Sequence, residues 1–177
     1  MDTLLIAIGI SEYKSEMLPI LQGASNDAVR VSSFFNLWGV KRENIFILLD
    51  SEATRENILR TIRVETLRCS DKIESVFVYY AGHGENNMET SMKTENILYC
   101  YDTSIVDIIG TSIRIQDLVD GIQRCQALKM FLFIDACYVQ IRNLPDILPD
   151  IKKFEEERRC FFALMSTWGK QAYEDIE

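Results

Sequence analysis

Val76-Phe77-Val78-Tyr79-Tyr80-Ala81-Gly82-His83-Gly84-Glu85 is the stretch that decides the fold. An apolar run closing on Gly-His-Gly reads as a buried strand that delivers a polar side chain at its C-terminal end. His83 is the one histidine in the chain. A second apolar run, Met130-Phe131-Leu132-Phe133-Ile134, closes 54 residues further on in Asp135-Ala136-Cys137. Histidine exchanges protons near neutral pH, and cysteine becomes a strong nucleophile on losing its proton. Two strands that each end in such a group point to thiol-based hydrolysis. Neither group alone carries that weight, since a cysteine after a buried strand is most often a small core residue.

Working outward, strand-like and helix-like segments alternate. Thr3–Gly9 is an apolar strand. Ser25 is expected to cap a helix whose apolar positions Ala28, Val31, Phe35 and Trp38 recur at helical spacing, with Gly39 as its stop. Residues 44–49 read as a strand, and Thr54 as the cap of the next helix. Residues 73–80 form the third strand, and the polar segment 85–94 reads as a loop. Residues 97–101 suit a short strand or half a hairpin. Ile115, Leu118, Val119 and Ile122 mark a helix; 129–134 and Cys160–Met165 are further strands. Strands alternating with helices predict an α/β fold of three layers, a mostly parallel central sheet between helices. Ligands of such sheets bind beyond the C-terminal strand ends, the rim that holds both His83 and Cys137.

The 177 residues suit one domain, residues 1–177. A net charge of −8 disfavours nucleic acid and anionic membrane as partners. The apolar N-terminal run is too short to span a bilayer, so a cytoplasmic protein is expected. Five cysteines, Cys69, Cys100, Cys125, Cys137 and Cys160, are widely spaced and odd in number, against a disulfide framework or zinc site. Segment 139–159 holds two prolines and a charged block. It reads either as a solvated connection or as a processing loop, with Arg142, Lys152, Lys153, Arg158 and Arg159 as candidate cleavage points.

Amide cleavage needs a nucleophile, a proton donor for the leaving amine and donors for the oxyanion. Cys137 suits the first and His83 the second. The backbone N–H groups of Gly84 and Cys137 suit the third. Gly82 and Gly84 are expected to clear space for a substrate backbone beside the turn.

These motifs resemble the caspase–metacaspase group of cysteine peptidases. Tyr79-Tyr80-Ala81-Gly82-His83-Gly84 is similar to its strand–Gly-His-Gly motif, and Phe133-Ile134-Asp135-Ala136-Cys137 to its Asp-x-Cys motif. The histidine-to-cysteine spacing also matches a known property of that family. Gly23-Ala24-Ser25-Asn26-Asp27-Ala28 resembles the Gly-x-x-Asn-Asp-Ala start of the first helix. Ser166-Thr167, with Ala172-Tyr173-Glu174, is a weaker match. The caspase signature Gln-Ala-Cys-x-Gly stands here as Asp135-Ala136-Cys137-Tyr138-Val139.

The resemblance implies Cys137 as nucleophile, His83 as acid/base, and oxyanion donors at Gly84 and Cys137. It implies that Asp27 and Asp135 line the pocket for the residue before the scissile bond, and so cleavage of protein or peptide after Arg or Lys. Aspartate-specific members carry arginines there; Leu21 and Glu174 lie near the matching positions. Many metacaspases use calcium, but 85–94 holds only Glu85 and Glu89, fewer oxygen ligands than that ion takes, so no metal or other cofactor is expected. Relative to the family pattern the chain stops short of the last strand and helix, which a second chain or C-terminal subunit completing the sheet, a processed fragment or a truncated chain would each explain. Two other readings stand beside the peptidase. One is a catalytically silent module of the same fold that binds or regulates a partner. The other is a receiver-like or nucleotide-binding domain, which the missing phosphate-loop glycines disfavour.

Overall fold

The computed structural model describes residues 2–68, 73–87, 95–136 and 160–165. Five strands form the central sheet in the order β2-β1-β3-β7-β8: β1 (Thr3–Gly9), β2 (Ile45–Leu49), β3 (Ser75–Ala81), β7 (Lys129–Asp135) and β8 (Cys160–Met165). Every pairing in it is parallel. All seven residues of β1 are buried. A continuous apolar run is what a parallel strand covered on both faces requires.

Alternation along the strands divides the core in two. Leu4, Ile6 and Ile8 of β1, Val76, Val78 and Tyr80 of β3, and Met130, Leu132 and Ile134 of β7 share one face. On them pack Ile58 and Ile62 of α2 (Arg55–Arg68), and Ile115, Leu118, Val119 and Ile122 of α4 (Ile115–Gln123). The opposite face carries Leu5, Ala7, Phe77 and Tyr79 under Ala28, Val31 and Phe35 of α1 (Ala24–Leu37). These are the three layers that the alternation of segments predicts. Each fully buried Leu or Ile contributes roughly 1.5–3 kcal/mol, so the larger α2/α4 face supplies most of the apolar stabilisation.

A second sheet departs from expectation. The polar segment after His83 is not all loop, because Gly84–Asn87 forms β4. It pairs antiparallel with β5 (Glu95–Leu98), which pairs with β6 (Ile113–Arg114). Nothing in Gly84-Glu85-Asn86-Asn87 alternates, so backbone pairing to an apolar partner makes this strand, not its own pattern. The single-turn helix α3 (Ile108–Thr111), capped by Asp107 onto Gly110 N–H at 3.0 Å, was also without a periodic signal.

Two helix-start expectations fared differently. Thr54 Oγ1 accepts from Asn57 N–H at 3.3 Å, as a cap should. Ser25 does not cap α1: the N-cap is Gly23, and Ser25 lies inside the first turn. Its hydroxyl is diverted to Asp50, which outcompetes a local cap. Gly39, at φ +86°, ends α1 as expected, since that backbone favours glycine. Trp38, expected to face the core, is 58% exposed and rests on Phe34 with ring centroids 4.8 Å apart. It follows the last helical turn, so helical spacing no longer aims it inward. Gly9 lets α1 approach closely: a Cβ there would lie 2.5 Å from Ala24 O and 2.7 Å from Ala28 Cβ. Among the described residues no helix is long and apolar enough to cross a membrane.

Candidate active site

The β3–β7 pairing that the motifs require is present. Tyr80 lies opposite Ile134 and Ala81 opposite Asp135. The ladder runs one step further, with Gly82 N–H donating to Asp135 O at 3.1 Å, while Ile10 N–H donates to Ala81 O at 3.0 Å. The end of β3 is thus tied to strands on both sides just before His83. Cys137 lies outside the described residues, as does 139–159 with its five candidate cleavage points, and so does the 166–174 match. The described part of β7 closes at Asp135 and Ala136.

Tyrosines hold His83. Its N–H donates to Tyr13 Oη at 2.7 Å, and its carbonyl accepts from Tyr99 N–H at 2.9 Å and from Tyr80 Oη at 2.8 Å. The half-buried imidazole stacks on the Tyr13 ring, centroids 5.0 Å apart at 29°, and meets Tyr99 edge-on at 6.3 Å. Its Nε2 lies 2.8 Å from Pro19 O. A carbonyl can only accept, so Nε2 carries the proton of the neutral ring and Nδ1 keeps the basic lone pair.

Tyr80 Oη also reaches Tyr99 O at 2.6 Å, so one proton is shared between two carbonyls. Burial pushes the Tyr80 phenol well above its usual range, helped by Tyr13 and Cys100 nearby; burial does the same to Tyr13. Both phenols are therefore neutral under physiological conditions. Burial first, then Asp102, pushes up the Cys100 thiol, which is fully buried. It stays protonated and inert, as does a core residue; Cys125 is equally buried.

Gly82 has a structural purpose that its sequence does not show. A Cβ there would sit 2.6 Å from Tyr80 Oη and 3.0 Å from Tyr13 Oη. The missing side chain makes room for the protein's own tyrosines. Gly84 is buried within β4, opposite Leu98.

Asp27 and Asp135 both act on Tyr79. Burial raises that phenol first, followed by Asp135 and then Asp27. Asp135 is half-buried and, by register with Ala81, shares the α1-facing side of the sheet with Tyr79. Asp27 lies in the first turn of α1, its carboxylate 3.4 Å from Arg30. One of these carboxylates is on a helix and the other on the strand beside Tyr79, and both raise the same phenol. Glu85 accepts from the Tyr99 hydroxyl, and among the described residues no three acidic, cysteine or histidine side chains gather as a metal site would need.

Sequence reasoning missed Tyr13 and Pro19. Both lie in the connection between β1 and α1, which has no periodicity to read. Its length is the one signal, since strand-to-helix connections in such folds are usually short.

The caspase domain family matches residues 3–174, and the chain belongs to that family of cysteine peptidases. No curated protein matches. A solved structure, that of pro-sf-caspase-1, superposes with a TM-score of 0.59 at 17% identity, covering 78% of this chain and 46% of that one. At that identity the likeness speaks for the fold, and the chain spans less than half the length of that structure.

Proposed function

We propose that the chain is a cysteine endopeptidase with Cys137 as nucleophile and His83 as acid/base. The carrying observation is the register of Ala81 against Asp135: His83 and Cys137 each follow two residues after a member of that pair. In this reading Nδ1 of His83 takes the thiol proton, and the sulfur attacks the scissile carbonyl carbon. The oxyanion is met by the N–H groups of Gly84 and Cys137. His83 then gives its proton to the leaving amine, and water, deprotonated by the same ring, hydrolyses the thioester. The Nε2 contact with Pro19 O supports an imidazolium poised in one orientation.

Asp27 and Asp135 favour Arg or Lys before the scissile bond, since paired carboxylates bind a buried cation by charge-assisted hydrogen bonds. Their common influence on Tyr79 supports one pocket for both. Self-cleavage in 139–159, at Arg142, Lys152, Lys153, Arg158 or Arg159, belongs to this reading. So does a second chain pairing beside β8. A reducing, cytoplasmic setting suits a thiol nucleophile and fits the buried thiols of Cys100 and Cys125.

A panel of reporter peptides ending in Arg, Lys or Asp tests the proposal, with and without calcium. Hydrolysis after Arg and Lys is expected. Preference for Asp refutes the pocket. No hydrolysis, with Cys137 no more reactive towards a thiol probe than an ordinary exposed cysteine, refutes the enzyme and leaves the silent-module reading.

A further inference from the structure

We infer that Asp50, remote in sequence from both motifs, is a positioning residue for His83. Asp50 begins a single 3-10 turn (Asp50–Glu52) directly after β2 and holds φ at +43°, the one non-glycine residue with positive φ among those described. Backbone of that kind persists only where surrounding contacts enforce it. Here the contacts are three hydrogen bonds on a single oxygen. Oδ1 accepts from Ser11 N–H at 2.8 Å, Glu12 N–H at 3.0 Å and Ser25 Oγ at 2.8 Å.

Those donors lie at the root of the loop that serves His83. Ser11 and Ser25 exchange reciprocal bonds, Ser11 N–H to Ser25 Oγ at 3.1 Å and Ser25 N–H to Ser11 Oγ at 3.0 Å. Leu21 N–H donates to Ser11 O at 2.9 Å and closes the loop on itself. Tyr13 follows two residues after Ser11, and Pro19 precedes Leu21 by two. The cinched segment therefore presents the Tyr13 ring to the face of the imidazole and the Pro19 carbonyl to its Nε2. A further anchor, Lys14 N–H to Tyr101 O at 2.9 Å, holds the loop's middle but not its root. Asp50 touches no reacting group; it acts by fixing the acceptor that selects the Nε2–H tautomer. Only the kinetic half of its test rests on the peptidase reading.

Because all three donors use Oδ1, Asp50→Asn keeps the acceptor and tolerates the left-handed backbone, whereas Asp50→Gly keeps the backbone and removes the acceptor. The chain's single histidine makes its ring nitrogens readable by NMR without ambiguity. Wild type and Asp50→Asn are expected to show the Nε2–H tautomer, and Asp50→Gly a mixture. With an Arg reporter, kcat should fall by about tenfold or more in Asp50→Gly with KM nearly unchanged, and stay near wild type in Asp50→Asn. Ser25→Ala removes one of the three donors to Asp50 together with the oxygen that accepts from Ser11 N–H, and leaves Asp50 its two backbone donors. A smaller change in the same direction is expected, and it decides the matter if Asp50→Gly does not fold. A wild-type ring spectrum in folded Asp50→Gly, or in Ser25→Ala where the glycine variant is unfolded, overturns the inference. The spectra need no substrate. A protein that hydrolyses no reporter therefore fails the proposed function while the tautomer comparison still judges Asp50.

Discussion

Nε2 of His83 and the carbonyl oxygen of Pro19 meet at 2.8 Å although 64 positions separate them in the chain. The contact leaves Nδ1 as the basic nitrogen of the neutral ring, and it assigns the proton without a third catalytic side chain. Thiols need no more than this, being acidic enough for an oriented imidazole to ionise them.

Replacing His83 or Cys137 should separate catalysis from folding. His83→Ala is expected to lower kcat/KM on an Arg reporter by about 10²–10⁴-fold. Cys137→Ala should abolish turnover. Intact mass should show fragments cut in 139–159 in wild type alone; cutting that persists in Cys137→Ala removes the self-processing idea. Circular dichroism should be unchanged for Cys137→Ala.

The carboxylate pair should govern what is cut. Asp135→Asn and Asp27→Asn are each expected to reduce kcat/KM for Arg and Lys reporters by about 10-fold or more, in line with roughly 1.5–3 kcal/mol for a charged hydrogen bond. An Asp-ended reporter should gain nothing, because no cation replaces them. Equal activity of both variants toward Arg would place the specificity elsewhere.

Gly82→Ala should destabilise the fold through the tyrosines and not through substrate binding. The added carbon meets two buried hydroxyls, and overpacking of this kind costs about 1–3 kcal/mol. Tyr80→Phe in the same chain removes the closer obstruction, so urea midpoints of the double variant should lie above the additive expectation. Strict additivity would mean that the crowding at Tyr80 Oη is not the cause.

Alkaline unfolding should follow from the buried phenols. The Tyr80 phenol is raised by burial in the folded chain, and an unfolded tyrosine titrates near pH 10. Below that pH both states keep the proton and its stabilising contribution is complete. Above it the unfolded chain ionises first, and stability is lost by up to about 1.4 kcal/mol per pH unit for each such tyrosine. Urea unfolding between about pH 8 and 11 should show this fall, and Tyr80→Phe should make it shallower by one proton. A slope that Tyr80→Phe leaves unchanged would contradict the burial argument.

What the sequence revealed divides along physical lines. β1, β8 and the start of β7 were legible to the residue because apolar runs bounded by polar segments carry their own signal. His83 and Asp135 were legible because they sit where such runs end. β4 was hidden, since Gly84-Glu85-Asn86-Asn87 becomes a strand only through its partner β5. Pro19 was hidden for a related reason: what it offers is a main-chain oxygen, which every residue has and no motif marks. Ser25 misled because a serine before an apolar run suits a cap, whereas its hydroxyl goes to Asp50, a quarter of a hundred residues away, and to Gly9 O.

The lateral bond between adjacent strands at Ala81 and Asp135 makes everything between them a detour. The antiparallel sheet, α3 and α4 leave β3 and return to β7 without setting the distance between the two strand ends. Evolution is therefore free to lengthen or shorten that excursion, most simply between β4 and β5, while the two strand ends keep their mutual placement. Kinship within this fold is better traced by strand adjacency than by counting residues from one motif to the next.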